Sequence, residues 1–167
     1  MLSKKIIRIF IILLIVVSNV GCDQFSKKIV RNRLTENDEI EMLYHHLTVM
    51  RVENSGAFLS FGDSLSRSVK NVLLSALPVI ALAFAFIYVF RKENMHAVSL
   101  IAICCIIGGG IGNIFDRIAY GSVTDFLYLH FGIFHTGVFN MADLSITTGA
   151  FVILLQSVFR RMVPKES

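Results

Sequence analysis

The chain has 167 residues, of which 54% are hydrophobic and 17% are charged, and its mean hydropathy is +0.67. This apolar share is above that of soluble domains, so the composition excludes a water-soluble globule and predicts one domain embedded in a membrane. The net charge is +4, but the basic residues lie in short groups beside apolar segments and form no stripe. We therefore predict no nucleic-acid partner.

Four apolar segments predict a membrane all-α fold, with four transmembrane helices in a single polytopic domain, 1–167. Two of these segments hold about 20 residues without a formal charge, which is enough to cross a hydrocarbon core of about 30 Å. The predicted spans are 6–22, 70–90, 97–116 and 138–160. The outer segments are 23–69 and 117–137.

Lysine and arginine in the short flanks predict the orientation of the helices, because these residues are enriched on the cytoplasmic side. They lie before the first span, between the second and third, and after the fourth: Lys4, Lys5, Arg8, Arg91, Lys92, Arg160, Arg161 and Lys165. Both the N and C termini are therefore predicted to be cytoplasmic. The two outer segments, with most of the remaining polar residues, are predicted to be extracytoplasmic.

Two stretches of the outer segments have the composition of β-strands. Residues 47–52 are rich in β-branched and apolar side chains and precede a turn-like Asn54-Ser55-Gly56. Residues 123–129 have a similar character. We predict that the two stretches form a small β-rich element on the membrane surface.

The third span contains a small-xxx-small pair, Gly108 and Gly112, which permits the close approach of another helix. We expect that helix to belong to the same chain, with a homodimer interface as the alternative. The three cysteines, Cys22, Cys104 and Cys105, have no metal-binding spacing. We predict neither a disulfide framework nor a metal or other cofactor.

Three aspartates lie near the outer ends of the spans: Asp116, Asp125 and Asp143. An acid costs about 2.5 to 3.5 kcal/mol at the membrane centre and less toward the edge, so these positions favour a functional role. Two carboxyls about 3 Å apart share one proton, and such a pair can hydrolyse a peptide bond without a metal. Asp116 is the weaker candidate, because Arg117 directly after it would occupy its oxygens. For any one aspartate alone, a helix cap or a salt bridge is the alternative.

Five short blocks carry a resemblance to a known family. They are DQFSK at 23–27, NSGA at 54–57, GNIFDR at 112–117, VTDF at 123–126 and FNMADLSI at 139–146. With the four spans, this order resembles the lipoprotein signal peptidases (signal peptidase II), the membrane aspartyl endopeptidases of bacterial lipoprotein maturation. The resemblance runs nearly from end to end.

The resemblance implies roles for individual residues. It implies that Asp125 and Asp143 are the catalytic pair, in agreement with the electrostatic argument against Asp116. The residues that it implies for substrate binding or support of the dyad are Asp23, Lys27, Asn54, Gly56, Asn113, Asp116, Arg117, Asn140 and Ala142. Two positions depart from the family pattern, Phe58 and Thr124, and they concern the shape of the pocket more than the reaction.

The resemblance also implies a fold, a substrate and a location. The expected fold has four transmembrane helices, with a small β-rich element and a mobile helical lobe over the active site on the outer side. The expected substrate is a prolipoprotein that carries diacylglycerol on its lipobox cysteine and is cut just before that cysteine. We expect a monomer in the bacterial cytoplasmic membrane, surrounded by membrane lipids, and cyclic peptide inhibitors of the globomycin type are expected to bind at the dyad.

The first span itself imitates a lipoprotein signal sequence. A basic start and an apolar run are followed by Ser18-Asn19-Val20-Gly21-Cys22. Cleavage there would leave a non-catalytic protein anchored through Cys22. We predict that the helix is retained, because the residues that follow directly, 23–27, form the first family block.

Two other functions are weighed against the peptidase. In a proton or cation transporter, Asp125 and Asp143 would be ion sites, but such a path needs acids through the membrane depth. The two middle spans contain none before Asp116 at the outer end, and the fourth span contains none beyond Asp143. In a metal enzyme, His45, His46 or the later histidines would be ligands. Their spacing matches no helical ligand motif, so we predict no metal site.

Overall fold

The protein is described by a computed structural model that covers residues 2–56, 66, 69–70 and 72–162. Four helices in these ranges are long and apolar enough to cross a membrane: Lys4–Arg33, Val72–Arg91, Ala97–Tyr120 and Met141–Phe159. A four-stranded antiparallel sheet accompanies them. The predicted fold class, four membrane helices with a small β-rich element, is confirmed.

The helices are α1 (Leu2–Arg33), α2 (Leu77–Arg91), α3 (Ala97–Tyr120) and α4 (Met141–Met162). A π-helical turn, Val72–Ala76, leads directly into α2. Helix α3 ends at Gly121, which has a left-handed φ of 82° and donates its N–H to the carbonyl of Arg117 at 3.1 Å. Glycine takes this conformation without a steric penalty, so it stops the helix and turns the chain toward the sheet.

Helix α1 continues to Arg33, well beyond residue 22, where the first span was predicted to end. The prediction stopped where polar residues begin. Those residues stay helical because Asp23, Lys27 and Arg31 are spaced four apart, so they lie on one face of the helix. That face turns inward, and the side chains of Asp23 and Lys27 are fully buried.

Helix α3 is the centre of the bundle and packs against α1, α2 and α4. Its glycines allow this, because a side chain at Gly109 would collide with the backbone of Ala142 in α4. Side chains at Gly108 and Gly112 would collide with α1. The small-xxx-small pair therefore packs within the chain, as expected. The buried apolar core consists of Ile12, Val16, Val89, Leu100, Cys104 and Ile107.

The contacts between α1 and α3 repeat every four residues, and we call this series the α1–α3 ladder. The two helices run in the same direction, so each step along α1 matches an equal step along α3. The rungs pair Asn19 with Gly108, Asp23 with Gly112, Lys27 with Asp116, and Arg31 with Tyr120. The ladder therefore begins in the apolar bundle and ends in its polar part.

The outer surface of the bundle is covered by large apolar side chains. Phe10, Phe84 and Leu154 are 65%, 69% and 60% exposed, respectively. A contiguous apolar surface of this kind has no stable place in water. It identifies the faces of the helices that contact lipid.

The sheet contains β1 (Glu39–Met42), β2 (Leu47–Asn54), β3 (Val123–Phe131) and β4 (Phe134–His135), in that order. Its central strands β2 and β3 are the two stretches predicted from the sequence. Their register pairs Val52 with Asp125 and Asn54 with Val123, after an irregularity that follows Val49. This register brings Asn54 diagonally beside Asp125.

Some expectations concern parts of the chain outside the described residues. These are the family positions Ala57 and Phe58, the basic residue Lys165, and part of the first outer segment, 57–65.

Candidate active site

Asp125 and Asp143 reach the same end of the bundle from different elements. Asp125 belongs to β3, and Asp143 lies in the first turn of α4. The chain just before α4 pairs with β3, since Leu127 and Phe139 exchange backbone hydrogen bonds of 2.8 and 2.9 Å. This pairing brings the start of α4 beside Asp125.

Asp125 is 3% exposed, and both of its oxygens accept hydrogen bonds. The Nδ2 of Asn140 donates to Oδ1 at 2.6 Å, and the Nδ2 of Asn54 donates to Oδ2 at 2.9 Å. The N–H of Gly56 donates to the Oδ1 of Asn54 at 2.9 Å. This bond turns the amide NH2 group of Asn54 toward the carboxyl group.

Asp143 and Asn140 cap the start of α4 together. The N–H of Asp143 donates to the Oδ1 of Asn140 at 2.9 Å, and the N–H of Asn140 donates to the Oδ2 of Asp143 at 3.3 Å. This is the reciprocal pattern of a capping box, with an aspartate in place of the usual glutamate. The same two residues that begin the helix therefore fix the position of the Asp143 carboxyl group.

Two asparagine amides connect the carboxyl groups. Asn113 of α3 donates from Nδ2 to the Oδ1 of Asp143 at 2.8 Å. Its own Oδ1 accepts from the Nδ2 of Asn140 at 3.2 Å, and that Nδ2 also donates to Asp125. The order of contacts is therefore Asp125, Asn140, Asn113, Asp143.

A buried ionic network lies behind the amides. The Nζ of Lys27 is within 2.8 Å of Asp23 Oδ2 and 3.0 Å of Asp116 Oδ2, and all three side chains are fully buried. Lys27 also donates to the Oδ1 of Asn113 at 3.0 Å. Because two donors occupy this oxygen, the NH2 group of Asn113 must face Asp143.

The partners of Asp116 differ from the prediction. Arg117 was expected to occupy its oxygens, but Asp116 instead pairs with Lys27 and, at 2.8 Å, with Arg31. Consecutive residues of a helix point in different directions, so Arg117 cannot reach the oxygens that face α1. The conclusion that Asp116 is engaged in salt bridges holds, with different cations.

Arg117 holds the loop after β2. Its guanidinium donates to the carbonyl of Gly56 at 3.0 Å. This bond ties Asn54 and Gly56 to α3, and so fixes one of the two amide donors to Asp125. Ala142 contributes its backbone, because its N–H donates to the Oδ1 of Asp23 at 3.0 Å.

The structure thus brings together all the residues predicted for the site, and it adds others. Arg31 donates to the hydroxyl of Thr124 at 2.8 Å, and Thr124 donates to Glu53 at 3.0 Å. The Nε2 of Gln24 donates to Asp116 at 3.0 Å. The signal for Arg31 was its four-residue spacing from Lys27, which was missed because the helix was predicted to end at 22. No pattern in the sequence indicates the role of Glu53.

Burial raises the pKa of the Asp125 carboxyl group to about 6, and the nearby charge of Asp143 acts in the same direction. The amides of Asn54 and Asn140 and the charge of Lys27 act in the opposite direction. Asp125 therefore keeps its proton at pH values where an ordinary aspartate has lost it.

Two adjoining cavities open alongside α3. One, of about 880 Å³, is lined by polar residues that include Ser55, Lys70 and Arg117. The other, of about 490 Å³, is apolar and lies between α2 and α3, with Leu82 and Ile118 among its lining residues. Ile118 lines both cavities, so a polar space and an apolar groove meet at this residue.

Within the described ranges, no group of three or more His, Cys, Asp or Glu side chains could hold a metal ion. The histidines of the sheet lie at the ends of its strands. His46 stacks on Phe131, with ring centroids 4.9 Å apart, and His135 pairs with His130.

Comparison with known proteins gives consistent matches. A profile of the family described as Signal peptidase (SPase) II matches residues 11–159. Proteins named Lipoprotein signal peptidase from Wigglesworthia glossinidia brevipalpis and Bartonella bacilliformis are each 35% identical to the chain, over 144 and 148 residues. The matches cover 85% and 88% of this chain, and 90% and 87% of the relatives.

Two solved structures are also similar to the chain. Both are described as bacterial membrane enzyme structures by the in meso method, at 2.3 and 1.9 Å resolution, and their TM-scores are 0.84 and 0.76. They are 28% and 26% identical, and the matches cover 95% of this chain and 94% and 96% of theirs. Motif order, fold and sequence therefore agree over nearly the full length, and the chain belongs to the signal peptidase II family.

Proposed function

We propose that this protein is an aspartyl endopeptidase that removes signal peptides from diacylglyceryl-modified prolipoproteins by cutting directly before the lipidated cysteine. Membership of the family supports the cleavage of prolipoprotein signal peptides. The observation that carries the finer proposal is the pair Asp125 and Asp143, connected through the amides of Asn140 and Asn113. A protonated and an ionised carboxyl group together supply an acid and a base.

The surroundings of the two carboxyl groups suggest which one carries the proton. Asp125 is almost fully buried and its pKa is raised, so it is the proton donor. Asp143 is half-buried and lies at the N-terminus of α4, where the helix dipole favours a negative charge. Asp143 is therefore the base.

The reaction follows in two balanced steps. Asp143 takes a proton from water while the oxygen attacks the carbonyl carbon, and Asp125 gives its proton to the carbonyl oxygen. The tetrahedral intermediate then collapses: the proton on Asp143 passes to the leaving nitrogen, the C–N bond breaks, and a hydroxyl proton returns to Asp125. The dyad ends in its starting state, with one new carboxylic acid and one new amine.

A gel assay of cleavage tests the proposal. The substrate is a prolipoprotein with a diacylglyceryl-modified cysteine, and the control is the same protein without the lipid. Cleavage of the lipidated form alone is expected. Equal cleavage of both forms, or no cleavage by folded protein, would contradict the proposed substrate.

The adjoining cavities suggest how the substrate lies. The apolar groove between α2 and α3 suits an acyl chain, and the polar cavity suits the peptide near the scissile bond. Because the two meet at Ile118, a single lipidated cysteine could occupy both.

Ala83→Trp should raise KM for the lipidated substrate by about tenfold, because the indole would fill part of the groove that Ala83 lines. The measurement is initial rates against substrate concentration. The matched control is Ala81→Trp, which changes an exposed alanine of the same helix outside the groove. An equal effect of the two variants would show that the groove does not hold the acyl chain.

The dyad should give the reaction a falling alkaline limb. The pKa of Asp125 is raised to about 6, so the proton that it donates is present below this value and lost as the pH rises through it. We expect kcat/KM, measured in a pH series, to decline as the pH rises through about 6. A constant kcat/KM from roughly pH 5 to 8 would contradict the role of Asp125 as the acid.

We also propose a location and an orientation. The protein lies as a monomer in the bacterial cytoplasmic membrane, with both termini in the cytoplasm and the dyad on the outer face. The basic residues Lys4, Lys5, Arg91 and Lys92 support this, because they lie at the end of the bundle opposite the dyad. Cyclic peptides of the globomycin type are proposed to bind at the dyad.

The first helix is proposed to remain uncut at Cys22. Ile12 and Val16 belong to the buried core, and the guanidinium of Arg8 donates to the carbonyls of Val89 and Lys92 at 2.7 and 2.6 Å. Removal of this part would leave a large cavity beside α3.

A further inference from the structure

A third cavity, of about 420 Å³, lies at the end of the bundle away from the dyad. It is enclosed by the end of α2, the 92–96 connection, the first turns of α3 and the last part of α4. Ser99 lines it, whereas Asn113 of the dyad site is on the same helix roughly 21 Å farther along the axis. The proposed peptidase reaction makes no use of this space.

Two polar side chains of this cavity, Gln156 and Lys92, keep hydrogen-bond donors available. The Oε1 of Gln156 accepts from the hydroxyl of Ser99 at 2.6 Å, so its NH2 group remains for another partner. The Nζ of Lys92 donates to the hydroxyl of Tyr88 at 2.9 Å, which leaves further N–H groups on the ammonium. A ligand that complements this lining must accept hydrogen bonds.

The charge of the cavity is positive. Among the described residues that line it, Lys92 carries a charge and none is acidic. Glu93, the acid that follows Lys92, pairs with Lys5 at 3.5 Å instead. Arg8 adds a second cation nearby, held by the carbonyl of Lys92. The ligand should therefore be an anion.

The remaining wall is apolar. Ile103 of α3 and Ile153 of α4 line the cavity within the apolar spans. A free phosphate ion would leave this wall without a partner, whereas an acyl chain would cover it. Basic cavities between helices at a membrane surface are suited to phospholipid headgroups.

We propose that this cavity binds an anionic phospholipid, with the headgroup phosphate on Lys92 and Gln156 and the start of an acyl chain against Ile103 and Ile153. The site is separate from the dyad and does not rest on the proposed peptidase activity. Its occupant would bridge α2, α3 and α4 at the end where a short connection joins α2 to α3.

Native mass spectrometry of the full chain in a mild detergent tests this proposal. The protein is titrated with phosphatidylglycerol, with phosphatidylcholine and with inorganic phosphate. Phosphatidylglycerol is expected to bind most tightly, and Lys92→Gln should weaken it about fivefold, the factor expected for one cation near an anionic lipid surface. Arg91→Gln is the matched control, because Arg91 is an exposed neighbouring cation that does not line the cavity.

A second variant tests the same site without removing a cation. Gln156→Glu keeps an oxygen for Ser99 but replaces the free NH2 group by a negative charge, so it should weaken phosphatidylglycerol by at least as much as Lys92→Gln. Melting temperatures of all variants show that they are folded. Equal binding of the two lipids, an equal effect of Arg91→Gln, or displacement of the lipid by low concentrations of inorganic phosphate would each overturn the proposal.

Discussion

Asp125→Asn and Asp143→Asn should each lower kcat/KM for a diacylglyceryl-modified prolipoprotein by about a thousandfold or more. General acid–base catalysis raises reaction rates by about 10²–10⁴-fold, and an amide side chain cannot exchange a proton with water or peptide. Both substitutions preserve the size of the side chain. The measurement is cleavage of the lipidated substrate in detergent. Asp38→Asn is the matched control, since Asp38 is an exposed aspartate that caps a turn at Thr35.

The two variants should differ in stability. Both oxygens of Asp125 accept from amide donors, so an amide there would place an N–H group against Asn54 or Asn140. Both oxygens of Asp143 also accept hydrogen bonds, from Asn113 at 2.8 Å and from the N–H of Asn140 at 3.3 Å. Because Asp143 is only half-buried and its second bond is long, Asp143→Asn should unfold closer to the wild type. Near-normal turnover by either folded variant would remove that carboxyl group from the mechanism. Equal cleavage of lipidated and unlipidated protein by the wild type would reject the substrate class instead.

Lys27→Met should lower the free energy of unfolding by about 3–5 kcal/mol, the usual loss when one partner of a buried ion pair is removed. Methionine fills a similar volume but carries no charge. Asp23 and Asp116 would then remain buried with only Arg31 to balance them. Asn113 would also lose one of the two donors that orient its amide toward Asp143.

Reversible unfolding in mixed detergent, followed by circular dichroism, measures this effect. Lys28→Met is the matched control, because Lys28 is the next residue on the same helix and is exposed. The double variant Lys27→Met with Asp23→Asn should recover part of the loss, since it restores the balance of buried charge. A loss of stability in Lys27→Met no larger than that of Lys28→Met would contradict the role given to the ionic network.

Much of the fold was predictable because its signals are local. Twenty apolar residues in a row predict a span wherever they occur, and the β-branched stretch at 47–52 predicts a strand. The extension of α1 to Arg33 was not predictable in this way. Its residues are polar, and the partners on α3 and β3 that stabilise them lie more than 80 positions away in the chain.

In the candidate site, too, local signals were predictable and contacts between distant residues were not. Asp125 and Asp143 could be selected from the sequence because acids at the membrane edge are costly and rare. The partner of Asp116 was assigned wrongly to Arg117, because neighbours in sequence were taken as neighbours in space. The orientation of each asparagine amide depends on the donors that surround its oxygen. Lys27 and Asn140 are these donors for Asn113, and no spacing in the sequence indicates that they meet there.

The α1–α3 ladder makes the length of each helix segment part of the active site. An insertion or deletion of one residue between Asp23 and Lys27 would rotate the rest of α1 by about 100° and turn Arg31 away from Asp116. An insertion or deletion of one residue in α3 between Gly112 and Asp116 would likewise rotate the rest of α3 and turn Asp116 away from Lys27 and Arg31. The lipid-facing positions can exchange one apolar residue for another, and the loops can change in length. The spacing of the rungs must stay fixed, so descendants of this chain should diverge by substitution within these helices and by insertion only outside them.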